Sequence, residues 1–170
     1  MELLKLFNQP NLSSAELSSL PKRVSVRAII KNEVGQIALL YSRKFNYHEL
    51  PGGTVEPDES ADEAVVRECL EETGCKVVIL KELGMVQGLR QQADSFQLNE
   101  VHGYLTEKTG DMQDVMFDED EIEEDFELQW VSIEAAVGLF TDLPESSDMY
   151  RQFIKERGLV FLQQAVLDEV

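Results

Sequence analysis

At 170 residues, with 43% hydrophobic and 28% charged side chains, the chain has the composition of one globular domain whose core needs no staple, not of a disordered segment. A net charge of −18 argues against a general phosphate-backbone binder, which needs a basic stripe, so nucleic acid is not an expected partner. The acidity leaves room for a small anionic substrate where metal ions supply local positive charge.

In chain order, residues 1–22 read as a lead-in. Ser13 or Ser14 is placed to cap a short helix through Leu20, which Pro21 ends. The opening MELLKLFNQPNLSS lacks a long apolar run with a small-residue cleavage site, and no run of 18 apolar residues follows. No signal peptide and no membrane are therefore expected, and the chain is taken as cytoplasmic. VSVRAIIKN (24–32) and QIALLYS (36–42) flank EVG and read as a hairpin. PGG at 51–53 is a loop signal, and 59–73 is helical with Gly74 as its stop. Residues 76–89 and 94–107 read as strands, 108–125 as a mobile acidic loop, and 126–133 as a further strand. Ser132 is a cap for a helix over 133–140, and 146–170 reads as one or two helices broken at Gly158. There is no internal repeat, and the interleaving of strands and helices predicts a mixed α/β sandwich. Cys69 and Cys75 are too few for a disulfide framework and lie far from His48 and His102, so they read as reduced, buried apolar residues.

One stretch is hard to explain as ordinary surface. RECLEETG (67–74) holds Glu68, Glu71 and Glu72 within five positions, and like charges three or four apart on a helix repel by about 0.2–0.5 kcal/mol per pair. With Glu68 at zero on a helical wheel, Glu72 falls at about 40° and Glu71 at about 300°, whereas Val66, Cys69 and Leu70 occupy the arc from about 100° to 200°. The helix thus has one apolar face and a separate carboxylate face, with Arg67 one turn from both Glu63 and Glu71. A solvated acidic face is the usual fate of such a run, and the run alone does not decide. The neighbouring Gly-Gly turn offers an accessible main-chain carbonyl, and hard divalent cations are held by a few carboxylates together with substrate phosphates. A bound cation would neutralise the repulsion.

Gly53, Glu59, Arg67, Glu68, Glu71, Glu72 and Gly74 stand in the spacing G-x5-E-x7-R-E-u-x-E-E-x-G-u, which resembles the signature of the Nudix hydrolases, the family of the MutT-type nucleotide-cleaning enzymes. The two u positions, usually bulky aliphatics, are Cys69 and Cys75 here. LPGG ahead of the helix and FELQWVSIEAA near the C-terminal end extend the resemblance to roughly residues 23–142. It implies an α/β/α sandwich with a mixed sheet over 23–142, with 143–170 a helical tail packed on the same domain. It also implies metal-dependent hydrolysis of a phosphoanhydride in a nucleoside diphosphate linked to another group, with Mg²⁺ or Mn²⁺ as cofactor. By the resemblance, Glu71, Glu72 and the Gly52 carbonyl hold the metal. Glu68 is a further ligand or the base for the attacking water, and Arg67 and Glu59 orient the glutamates. A homodimer is a further expectation from the family. A Nudix domain that senses a nucleotide without turnover is the alternative, though such domains tend to lose box glutamates. A prenyl diphosphate isomerase of the same fold fits poorly, because both cysteines lie in or beside the box.

A further glutamate from a later loop often completes such sites. DEDEIEEDFE (118–127) offers Glu119, Glu121, Glu123 and Glu124, of which Glu121 is selected and the rest are expected to be solvated. Arg43, Lys44, Phe45, Tyr47 and His48 precede the PGG turn and are expected to border the cleft. Arg43, Phe45 and Tyr47 are the substrate-binding candidates, arginine for phosphate and aromatics for a base, with Arg27 and Arg90 behind them. His102 and Trp130 read as structural. ADP-ribose hydrolases of the family often carry a proline about sixteen residues beyond the box's last glycine, where Arg90 stands. The coenzyme A motif is also missing, which points toward a nucleoside triphosphate or related nucleotide.

Overall fold

The computed structural model describes residues 1–7, 11–92, 95–144 and 148–167. Its elements are β1 (Leu3–Phe7), α1 (Ser14–Ser19), β2 (Lys22–Lys31), β3 (Ile37–Ser42), β4 (Tyr47–Glu49), α2 (Ala61–Thr73), β5 (Lys76–Gln91), β6 (Phe96–Thr109), α3 (Glu119–Glu123), β7 (Phe126–Val131), α4 (Ile133–Asp142) and α5 (Met149–Leu167). The seven strands run in the order β1-β5-β6-β2-β3-β4, with β7 also pairing β3. The sheet is mixed: β1 with β5 and β2 with β6 are parallel, whereas β5 with β6 and β3 with both β4 and β7 are antiparallel.

Strand side chains alternate between faces, and β2 shows what each face meets. Val26, Ala28 and Ile30 pack with Ala64, Val65 and Cys69 of α2 and with Tyr104 of β6. Ile29, one register away, joins Ile37 and Leu39 of β3 and the rings of Phe140 and Phe161 from α4 and α5. Both faces are covered, so Ala28, Ile29 and Ile30 are apolar in succession, and the architecture is the expected α/β/α sandwich.

Four local expectations change. β2 and β3 do not form a full hairpin, since they pair only at Lys31 and Ile37. Beyond that point they splay, and the Pro-Gly-Gly segment fills the gap. Val26 N–H donates to the Gly53 carbonyl at 2.9 Å and Ala28 N–H to the Pro51 carbonyl at 2.8 Å. An apolar run announces a strand but not its neighbours. The lead-in is also part of the sheet, because β1 extends it beside β5. The acidic loop is anchored to the end of α2, where Gln113 N–H reaches the Gly74 carbonyl at 2.8 Å and Met116 N–H the Glu71 carbonyl at 2.7 Å. These bonds satisfy carbonyls that a helix end leaves unpaired, and the loop contains α3. Finally, α5 runs unbroken through Gly158, whose missing Cβ is what lets the Phe140 ring approach. Glycine serves close packing there. Asp94, Ser146 and residues 168–170, where expected elements began or ended, lie outside the described residues.

Candidate active site

α2 is fixed at both ends by its own sequence. Ser60 is the N-cap, and Glu63 completes a capping box by accepting from the Ser60 N–H at 2.8 Å. Gly74 ends the helix in the left-handed region at φ 68°. The cap occupies Glu63, so Arg67 turns to other carboxylates. Its Nε and Nη2 grip Glu59 at 3.1 and 2.6 Å, and Nη1 reaches Glu68 at 2.9 Å and Glu71 at 3.0 Å. Nη2 also donates to the Thr54 carbonyl at 3.1 Å. The fork ties the helix to the strand-like segment opposite, and its guanidinium is held well above the ordinary arginine value, chiefly by Glu59.

The carboxylate face is not solvated. Glu68 is 9% and Glu72 5% exposed. Opposite them, Gly52 has φ 134°, and a Cβ there would overlap the Val26 carbonyl, whereas a Cβ on Gly53 would overlap the Glu68 carboxylate. Both positions need glycine, one for its backbone and one for the space Glu68 occupies. Gly52 N–H donates to Glu72 Oε2 at 2.5 Å. The Gly52 carbonyl accepts from Arg27 Nη1. Arg27 in turn holds Glu49 Oε1 through Nε at 3.1 Å and Nη2 at 2.6 Å, and the same oxygen accepts from Arg157 of α5.

These neighbours drive the buried glutamates in opposite directions. Burial pushes the Glu72 carboxyl well up, and Glu121 adds to this by sharing a hydrogen bond and by like charge, against the pull of Arg27. Burial also raises Glu68, with Arg67 opposing. For Glu49 burial is outweighed by Arg27 and Arg157, and its carboxyl lies below the ordinary value.

The face opens into a cleft of about 450 Å³, within the range of small-molecule sites, lined by Gly52, Gly53, Glu68, Glu71, Glu72 and Glu121, by Arg23, Arg27 and Arg67, and by Leu40, Tyr47, Met116, Phe126 and Tyr150. Among the sequence candidates, Gly52, Arg67, Glu68, Glu71, Glu72, Glu121, Arg27 and Tyr47 therefore share one cleft, and Glu124, expected to be solvated, is half-buried in its wall because the Tyr47 hydroxyl holds it there. Glu59 stands behind it, gripping Arg67. The others lie elsewhere: Arg43 pairs with Glu127, Phe45 lies under Arg151 in a smaller hollow, and Arg90 stacks on Tyr150 in a neighbouring one. His48 bonds Gln129 at 3.1 Å and stacks on Tyr41, away from the cleft. Sequence reading missed Arg23, Glu49, Tyr150 and Arg157. Arg23 had a signal, since it shares the odd-numbered face of β2 with Arg27. The other three had none, because they reach the site through sheet and helix packing.

A divalent cation fits this donor set in chemistry. The donors are all oxygen, the carboxylates are crowded and partly buried, and burial with the neighbouring Glu121 holds the Glu72 carboxyl well up. Among the described residues no three acidic, histidine or cysteine side chains already converge as a closed cage. Arg67 Nη1 lies between Glu68 and Glu71 instead, and the Asp118 N–H occupies Glu121 Oε2 at 2.7 Å. The Gly52 carbonyl keeps a second lone pair beside its bond to Arg27.

The sequence profile of the NUDIX domain matches residues 21–153. A putative 8-oxo-dGTP diphosphatase of Bacillus subtilis (strain 168) is 46% identical over 59 residues, which is 35% of this chain. The chain spans only 40% of that relative's length. The crystal structure of a MutT protein from Methanosarcina mazei Go1 superposes with TM-score 0.52 and 30% identity over 82% of this chain and 94% of that one. The solution structure of the E. coli ORF135 protein does so with TM-score 0.54 and 25% identity over 82% and 90%. No helix among the described residues is long and apolar enough to cross a membrane. With a profile match over most of its length, and a sandwich that carries the full glutamate set on α2, the chain belongs to the NUDIX family.

Proposed function

We propose that this protein is a metal-dependent pyrophosphohydrolase that cleaves a phosphoanhydride bond of a nucleoside triphosphate or related nucleotide by attack of water at phosphorus. The observation that carries the reading is the pairing of the buried Glu68 and Glu72 with the Gly52–Gly53 backbone in an open cleft that Glu71 and Glu121 also line. Nudix hydrolases generally need a divalent metal. Glu71, Glu72, Glu121 and the Gly52 carbonyl would hold it, with Glu68 beside them, and Mg²⁺ or Mn²⁺ there would cancel phosphate charge and polarise phosphorus–oxygen bonds.

The chain's own groups supply the rest. Burial makes Glu68 more basic than an ordinary carboxylate, which suits it to take a proton from the attacking water. Arg67, clamped by Glu59 and Thr54, fixes where Glu68 and Glu71 point. Arg23 and Arg27 give the acidic cleft the positive charge that phosphates require. Tyr47, Phe126 and Tyr150 offer ring faces for a base. The relative named as an 8-oxo-dGTP diphosphatase makes an oxidised guanine nucleotide the first substrate to try.

The test is a hydrolysis screen with Mg²⁺ or Mn²⁺ over ordinary and oxidised nucleoside triphosphates, nucleotide sugars, ADP-ribose and dinucleoside polyphosphates. Release of pyrophosphate or a nucleoside monophosphate from a triphosphate is expected. Nucleotide binding without turnover on any compound would sink the enzyme reading and make the domain a sensor.

A further inference from the structure

α5 lays a buried stripe of Phe153, Ile154, Phe161, Leu162 and Ala165 against the sheet, and Arg157 sits in that stripe, 3% exposed. Helical periodicity calls for an apolar side chain at that position. A buried guanidinium is costly unless paired, and burial together with the charge of Arg27 pushes Arg157 below the ordinary arginine value. Its partner, Glu49 Oε1, is already held by two nitrogens of Arg27. One arginine would satisfy Glu49, and two grip the same oxygen.

The connections beyond Glu49 suggest what the second one does. Arg27 places Nη1 on both the Val26 carbonyl, at 2.8 Å, and the Gly52 carbonyl. Gly52 is thus pinned on both sides, its carbonyl by Arg27 and its N–H by Glu72. We infer that Arg157 is a positioning residue for the cation site: through Glu49 and Arg27 it fixes the orientation of the Gly52 carbonyl, whose own N–H is held by Glu72, so that α5, far outside the signature, sets the affinity for the metal. Glu49 pulled by Arg27 alone could follow that side chain's motion, and gripped from α5 it cannot. The inference adds a residue to the site read above, and it rests on that reading for its location.

The experiment measures Mn²⁺ binding, by the spin-resonance signal of free ion, in the full-length protein below its melting temperature. Variants are Arg157→Met, Arg157→Lys, Arg27→Met and the double Arg157→Met/Arg27→Met. Arg157→Met leaves Glu49 and Arg27 as a one-to-one pair, and a Kd raised about 10-fold is expected, the lower end for removal of an outer partner of a metal ligand. Arg157→Lys, with one ammonium in place of the fork, is expected between that and wild type. The double variant is expected to bind no more weakly than Arg27→Met, because the two act in series. A merely structural Arg157 would lower the melting temperature and leave the Kd of the folded protein unchanged, which overturns the inference. Multiplying losses in the double variant also overturn it. Should Arg157→Met not fold, Arg157→Lys carries the test, and wild-type affinity there is the negative result. Wild type that binds Mn²⁺ but hydrolyses nothing refutes the proposed reaction and leaves this inference standing or falling on the Kd values. Wild type that binds no Mn²⁺ refutes both.

Discussion

Two stretches of the chain are dense in glutamate, and the fold uses them in opposite ways. On α2, Glu68 and Glu72 are nearly buried, set against glycine backbone and pushed up in pKa by that burial. In residues 118–127 the described carboxylates are exposed or half-buried and several have ordinary partners: Glu123 takes Lys44 at 2.7 Å, Glu127 takes Arg43, and Glu124, in the cleft wall with Asp118 and Glu121, accepts from the Tyr47 hydroxyl at 2.6 Å. Sequence crowding is therefore a poor guide to function by itself. What separates the regions is whether the carboxylates are kept from water without enough positive charge to balance them, a state that invites a cation.

The sharpest way to break that contrast is to neutralise one carboxylate in each region. Glu72→Gln is expected to cut hydrolysis at least about 100-fold, above the usual loss for an outer partner of a metal ligand. It should also raise the melting temperature of the metal-free protein, since it removes a charge burial disfavours. Glu123→Gln loses only an exposed, solvent-screened ion pair, and activity should stay within about twofold. Steady-state rates with Mg²⁺ and a melting curve in EDTA decide it. Equal losses in the two variants would erase the distinction.

Gly53→Ala attacks the α2 side without touching a charge. The added Cβ would stand where the Glu68 carboxylate lies, so Glu68 must move. A loss of about 10- to 100-fold in kcat is expected, on the scale for misplaced catalytic groups, with substrate KM changed much less. A variant with unaltered kcat would mean that Glu68 has no part in the chemical step.

Glu121 lies in the loop by sequence and in the cleft by structure. Glu121→Gln is accordingly expected to fall between the extremes, with about a 10-fold loss of rate and a smaller rise in metal-free melting temperature than Glu72→Gln. Behaviour like Glu123→Gln would return it to the solvated set.

How much of this could be read from the chain follows the range of the interactions. The stop at Gly74 and the crowding of Glu68, Glu71 and Glu72 on one side of α2 depend on residues a turn or two apart, and they were legible. So was Ser132 as the cap of α4. The start of α2 was not, since Ser60, read as already inside a helix from Glu59, is its N-cap, and Val66, read on the apolar face, is exposed. The splaying of β2 from β3 was not, because pairing with β6 and with the Pro-Gly-Gly segment involves residues distant in sequence. Gly158 had the right type and the wrong reason: a helix glycine can mark a break or a close contact, and only the Phe140 ring tells them apart. Arg43 and Phe45 were placed by proximity to the turn, yet the β3–β4 connection carries them toward Glu127 and Arg151 instead. Glu49 and Arg157, 108 residues apart, meet only once the sheet and α5 have packed.

The smallest expected effect is on stability, and it contrasts the two buried glutamates that flank Gly52. Glu72 has a folded pKa above its unfolded value. Between those two values the folded state holds more protons, so metal-free stability falls as pH rises from about 4.3. Glu49 is the reverse: its folded pKa is depressed, its contribution is present above about 4.3, and it is lost as pH falls through the folded value. Melting temperature in EDTA should therefore decline on both sides of a mildly acidic maximum. Mg²⁺ binds only the ionised site and should lift the neutral limb, leaving the acid limb where it was. Glu72→Gln should flatten the neutral limb in EDTA and shrink the lift from Mg²⁺. Melting curves from pH 3 to 8, with and without Mg²⁺, separate these arms. A neutral limb with the same slope in Glu72→Gln would show that Glu72 is not the group held protonated, and that the charge imbalance on α2 lies with Glu68.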